Sequence, residues 1–393
     1  PLARLTVDVT EFSPRKLFAE IGQSLPATAD PKVLERLALK AAVKADAKAV
    51  AVSDGLLAID DSKLSFTLNA REFSKPNLTF DFRLDQIDLD RYLPPKAVAS
   101  SGAQPAQATA QKTDYAPLRR LVMDGTVAVG KLTVNNAKLE DVHLKIAAKE
   151  GVLSLDPLTM KLYQGTAAGK TVVNVKGASP VTDVQLDLDK VQVHPLLKDL
   201  ADQDFIEGTA NTQVALSMTG EDPARIKQSL DGKGRLVFTD GAIIGVDLAH
   251  MARNVKAALG GQAASGPKPR TDFAELLVPF TIENGVFHTA ETSLKSPLLR
   301  LLATGQADLV KETLDFRLDP KLVGTIKGQG DREDRSGLEV PIIVSGSFAH
   351  PGFRPDVESI AKDRLKKSLD PSGAGGMPAK PGDLIKGLLP NKK

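Results

Sequence analysis

Apolar and polar residues alternate through this chain almost from end to end, and that alternation commits it to β structure. The pentapeptide DFRLD shows the pattern in small. It occurs as Asp81–Asp85 and again as Asp315–Asp319. Successive side chains of a β-strand point to opposite faces, so Phe and Leu go one way while Asp, Arg and Asp go the other. Each copy is a strand that is apolar on one side and charged on the other.

The same alternation recurs at Leu64, Phe66 and Leu68, and at Leu78, Phe80, Phe82 and Leu84. It continues at Val142, Leu144 and Ile146, at Leu153 and Leu155, and at Leu186 and Leu188. Val214, Leu216 and Met218 follow, then Leu236 and Phe238, then Val278, Phe280 and Ile282. Leu314, Phe316 and Leu318 belong to the second DFRLD, and Val340, Ile342 and Val344 come last. A coarse count along the whole chain gives about eighteen strands of the usual 5–10 residues. Asp54-Gly55, Asp124-Gly125, Glu150-Gly151, Gln164-Gly165, Asp240-Gly241 and Asn284-Gly285 read as tight turns, which makes neighbouring strands antiparallel. Short helices are expected at 13–22, 31–44, 195–201, 223–230, 246–259 and 356–369.

Such a sheet needs something over its apolar face. The expected helices are too few and short to cover it, which leaves closed sandwiches or a long bent sheet with an apolar groove. Segment 1–93 is β-rich, 94–117 (rich in Ala, Gln and Pro) reads as a flexible linker, 118–355 is the main β region, and 356–393 is a terminal helix with a loose tail. A weaker repeat joins Ile87–Leu93, Val191–Leu197 and Val246–Ala252, each a strand end passing into a helical turn.

Composition excludes several functions. Lys plus Arg number 51 against 49 Asp plus Glu, and aromatics are 4% with no Trp, which speaks against a nucleic-acid partner. Cys is absent, so there are no disulfides and no thiolate ligands or nucleophiles. Five scattered histidines offer no ligand set; Asp247 with His250 is the nearest approach to one. There is no nucleotide-binding glycine loop and no G-x-S-x-G elbow. No catalytic residue, metal or cofactor is expected, and the chain reads as a non-enzyme. The first residue is Pro, and Leu5, Val7 and Val9 already alternate, so the sequence is expected to be a fragment with any signal or anchor upstream.

Four stretches carry a resemblance: LDRYLPP (89–95), LYQGTAAGKTVVNV (162–175), GRLVFTDGAIIGVDL (234–248) and VPIIVSGSFAHPGFRPD (340–356). Together, in this order, they resemble the C-terminal region of the AsmA family of Gram-negative bacteria. The resemblance implies a periplasmic β-rich body anchored in the inner membrane by an upstream helix, with larger relatives that look like bridge-like lipid transfer proteins. The expected fold is therefore mostly β, an elongated curved antiparallel sheet with a taco-like hydrophobic groove and a few short helices. The apolar residues named above would line that groove. Phospholipids or other acyl lipids would be the partners, together with envelope proteins, and the role would be lipid transfer between the two membranes in support of outer-membrane biogenesis. The alternative is a non-enzymatic scaffold that assists outer-membrane protein assembly, with its strands closed into dry sandwiches.

Overall fold

The computed structural model describes residues 2–73, 76–95, 113–248, 269–297, 299–322 and 341–356. One eighteen-stranded sheet runs through them. Five strands form a first meander: β1 (Ala3–Phe12), β2 (Leu37–Ala45), β3 (Ala49–Ile59), β4 (Ser62–Arg71) and β5 (Asn77–Asp88). Next come β6 (Val122–Val134), β7 (Ala137–Lys149), β8 (Val152–Leu162), β9 (Gly165–Asn174) and β10 (Val181–Gln192). β11 (Ile206–Thr219), β12 (Asp231–Ile244), β13 (Arg270–Glu283) and β14 (Val286–Lys295) follow. The last four are β15 (Leu299–Asp308), β16 (Thr313–Leu322), β17 (Ile342–Ser347) and β18 (Pro351–Pro355).

Each strand pairs with the next in sequence, and every pairing is antiparallel except that of β5 with β6. Among the described residues β1 pairs with β2 alone and β18 with β17 alone, so the curved sheet does not close on itself. The parallel join is a consequence of chain connection. Two parallel neighbours need a crossover rather than a hairpin, and residues 89–121 supply it.

Four short helices accompany the sheet in the described residues: α1 (Pro14–Glu20), α2 (Ala116–Arg120), α3 (Val193–Ala201) and α4 (Pro223–Gln228). Ser13 starts α1 by accepting a hydrogen bond from the Lys16 amide, with Pro14 at the first helical position. The helix expected at 31–44 does not form. Its Ala/Leu/Lys composition favours a helix, yet Leu39 and Val43 share a face and pair with β1 on one side and β3 on the other. Pairing on both edges outweighs an intrinsic preference worth tenths of a kcal/mol per residue, roughly. Residues 249–259 and 356–369 of the other expected helices fall almost wholly outside the described residues, as do 96–112 of the expected linker.

The turn signals divide. Glu150-Gly151 and Asn284-Gly285 are two-residue hairpins with both residues at positive φ, the geometry that matches strand twist. Asn135-Asn136 and Tyr163-Gln164 do the same work, so the turn expected at Gln164-Gly165 lies one residue earlier. Asp54-Gly55, Asp124-Gly125 and Asp240-Gly241 are not turns. They lie inside β3, β6 and β12, where their glycines sit beneath phenylalanine rings of the adjacent strand.

The crossover is fastened by the LDRYL stretch. The Asp90 carboxylate accepts from the amides of Asn135 and Asn136 at 2.7 and 2.6 Å, fixing the β6–β7 hairpin. Arg91 pairs with Asp30 at 2.8 Å, and the Tyr92 hydroxyl donates to Asp60 at 2.8 Å. Asp60 also accepts from the amides of Leu34, Glu35 and Arg36. A parallel device holds α3, where the Tyr163 hydroxyl donates to Asp199 at 2.8 Å.

Candidate functional site: a continuous apolar face

Residues directly opposite each other on paired strands share a face of the sheet. Tracing these pairs shows where each apolar side chain lies. One row crosses the sheet from Gly55 through Phe66, Phe82, Val127, Leu144, Leu158, Gly169, Leu186, Val214 and Gly234 to Phe280. A second runs from Val52 through Leu68, Phe80, Gly125, Ile146, Leu155, Thr171, Val184, Leu216 and Gly232 to Ile282. It continues through Phe287 and Ala307 to Leu314.

The remaining residues read from the sequence fall beside these rows. Leu64, Leu84 and Val142 are linked through Val129, and Leu78 and Leu153 through Met123 and Ala148. Leu188, Leu236 and Val278 share a line through Thr212, Phe238 lies opposite Ala210, and Met218 lies opposite Thr182. Phe316 faces Val344 and Leu318 faces Ile342 across β16 and β17. Every residue of the expected set that is described therefore lies on one face; Val340 lies outside the described residues.

The opposite face is charged. Lys40 pairs with Asp8, Lys145 with Asp124, Lys161 with Asp141 and Lys295 with Glu275, all across adjacent strands. The two DFRLD strips differ here. Arg83 pairs back to Asp81, and Arg317 pairs forward to Asp319 and also reaches Asp356. Hydrogen-bond donation by Thr126, joined by Arg83, holds the Asp81 carboxyl below its ordinary range, although desolvation opposes them.

Burial divides the apolar face into two parts. From β2 to β12 most of the large inward side chains are half-buried: Leu57, Leu64, Phe66, Phe82, Leu144, Leu186 and Leu216 keep contact with solvent, whereas Val129 and Val142 are 8% and 3% exposed. From β13 onward most are covered, although Val278, Phe287, Leu314 and Phe316 stay half-buried. Leu276, Phe280, Ile282, Leu294, Leu299, Leu301, Leu318 and Ile342 are each no more than 9% exposed. Most of these form one packed cluster with Val193 of α3, Ile206 and Leu248, against which Phe238, Phe316 and Phe353 rest. A smaller cluster of Leu162, Ala167 and Val191 sits at the rim where α3 meets β8–β10. The sheet thus has an open apolar section and a dry, self-packed end.

Sequence reading missed the contributions of β2, β3, β6, β9, β14 and β15 to this face. β6 carries Met123, Val127 and Val129 in plain alternation, a detectable signal. β9 contributes Gly165, Ala167, Gly169 and Thr171, whose small side chains read as loop. No three His, Asp or Glu side chains converge as metal ligands among the described residues. No described helix is long and apolar enough to cross a membrane.

Comparison with known proteins settles the kinship. The AsmA family pattern matches residues 13–292. The chain belongs to the AsmA family. It is 21% identical over 354 residues to Protein AsmA of Escherichia coli (strain K12), a match covering 85% of this chain and 57% of that relative. The chain thus spans a little over half the length of this AsmA relative. No solved structure matches it.

Proposed function

We propose that this AsmA-family chain binds acyl chains of phospholipids along its open apolar face and passes them through the periplasm between inner and outer membranes. The observation that carries the reading is the run of half-buried large apolar side chains from β2 to β12, in which Val129 and Val142 are the buried exceptions on β6 and β7. Apolar surface on that scale marks a partner, and this one is lined by hydrocarbon with few inward polar groups to orient a polar ligand. Ten strand-to-strand steps of about 4.8 Å make the open section about 48 Å long. A sixteen-carbon chain resists leaving a bilayer by roughly 13 kcal/mol at about 0.8 kcal/mol per CH₂. An apolar trough offsets most of that cost without any chemical step, and the reading needs neither catalytic residue nor metal.

Membership of the AsmA family supports a place in the cell envelope. The scaffold reading is favoured by one observation, the dry cluster of β13–β18, and it is confined to that end. Organic extraction of the purified protein followed by mass spectrometry tests the proposal. Stoichiometric phospholipid is expected; a folded protein that carries none, and takes none up from vesicles, overturns it.

A further inference from the structure

Three aromatic rings lie together on the open section. Phe82 meets Phe66 edge to face with centroids 6.1 Å apart, and Phe80 at 4.7 Å. They lie beside the β5–β6 join, the one parallel pairing among the described strands.

Two of these rings rest on glycine. Gly125 lies directly opposite Phe80, and Gly55 directly opposite Phe66. A methyl group at Gly125 would sit 2.5 Å from Cδ2 of Phe80 and 2.6 Å from Cε2 and Cγ. At Gly55 it would sit 2.7 Å from Cε1 and Cζ of Phe66 and 2.8 Å from Cδ1. Three ring atoms at nearly equal distance mean that each ring presents its flat face to the glycine. Both glycines are buried beneath their rings, and the rings themselves are half-buried. Neither glycine has positive φ, so no backbone conformation demands a glycine at these positions. What the missing side chain provides is depth: the ring sinks into the sheet where any Cβ would lift it.

Resting on the lipid reading above, we infer that Gly55 and Gly125 set the clearance of the acyl path over this aromatic patch, and so its selectivity for chain bulk. Raising either ring by about the size of a methyl group narrows the path, which penalises a two-chain phospholipid more than a single acyl chain. A purely structural role for the ring–glycine pairs would affect folding and leave selectivity alone.

The test places a photoreactive benzophenone amino acid at Leu144, on the row that contains Phe82, and exposes the protein to two probes. One is vesicles of phosphatidylethanolamine and phosphatidylglycerol; the other is palmitate. Gly125→Ala is expected to lower the phospholipid crosslink several-fold while the palmitate crosslink changes little. Adding Phe80→Leu, which removes the ring that the new methyl displaces, is expected to restore the phospholipid signal. Equal phospholipid capture by Gly125→Ala and the parent, with the fold intact by circular dichroism, overturns this inference alone. A parent protein that crosslinks neither probe overturns the lipid reading and this one with it. Should Gly125→Ala fail to fold, Phe80→Leu by itself decides: it deepens the path and is expected to raise the phospholipid-to-palmitate ratio, and an unchanged ratio overturns the inference.

Discussion

Placing a carboxylate on each part of the apolar face should have opposite consequences, and the two DFRLD strips provide the sites. Leu318 is 9% exposed and lies opposite Ala303 and Ile342, themselves 5% and 2% exposed. Leu318→Asp removes a core side chain, a loss of about 2–5 kcal/mol by comparison with leucine truncations. It also buries a carboxylate with no partner, which adds several kcal/mol, roughly. The sum approaches the whole stability of a typical domain, about 5–15 kcal/mol, so the β13–β18 end should unfold or refuse to assemble. Phe82 has different neighbours. Phe66 and Val127 opposite it are half-buried, so a carboxylate there reaches water. Phe82→Asp forfeits two ring contacts worth about 0.5–1.5 kcal/mol each and the partial burial of the ring, at most about 1.5–3 kcal/mol, and should leave the protein folded. Its lipid capture should nevertheless collapse, since a charge against hydrocarbon is strongly unfavourable. Thermal melting alongside lipid crosslinking distinguishes the two. Equal loss of structure in both variants would refute the division into an open section and a dry end.

Three further outcomes are expected. Tyr92→Phe removes the hydroxyl that donates to Asp60 and should cost about 1–2 kcal/mol in denaturant melts without altering lipid capture. Burial pushes the Asp60 carboxyl up, but the amides of Leu34, Arg36 and Glu35 and the Tyr92 hydroxyl outweigh it and hold the carboxyl below its ordinary value of 3.8. Its contribution is therefore present above that pH and is lost as pH falls through the lower folded value, so the stability gap between parent and Asp60→Asn should shrink in acid melts below pH 3.8. A chelator should leave the melting temperature and lipid capture unchanged; a chelator-dependent melt would reveal a metal that the composition does not suggest.

Much of the fold was legible because the two-residue period leaves little freedom. Once Phe82 and Leu84 share a face, pairing carries that face from strand to strand. Local signals misled where a glycine or a helix-forming run had a tertiary reason. Asp124-Gly125 reads as a turn, yet its glycine is there to bed Phe80. Segment 31–44 reads as a helix, yet two partner strands claim Leu39 and Val43. The boundary between open and packed sections was not legible at all. Leu84 and Leu318 sit in the same pentapeptide with the same neighbours in sequence; what differs is the packed cluster around Leu318, assembled from α3, β11 and the strands from β13 onward.

The central claim is that hydrocarbon occupies the face from β2 to β12 and stops where the face turns dry. Photocrosslinking scanned along that face tests it most directly, with the benzophenone residue placed in turn at Leu68, Leu144 and Leu186, and then at Leu294 and Leu301. Phospholipid adducts are expected at the first three positions and none at the last two. Adducts at none of the five in a folded protein, or equal adducts at all five, would contradict the account.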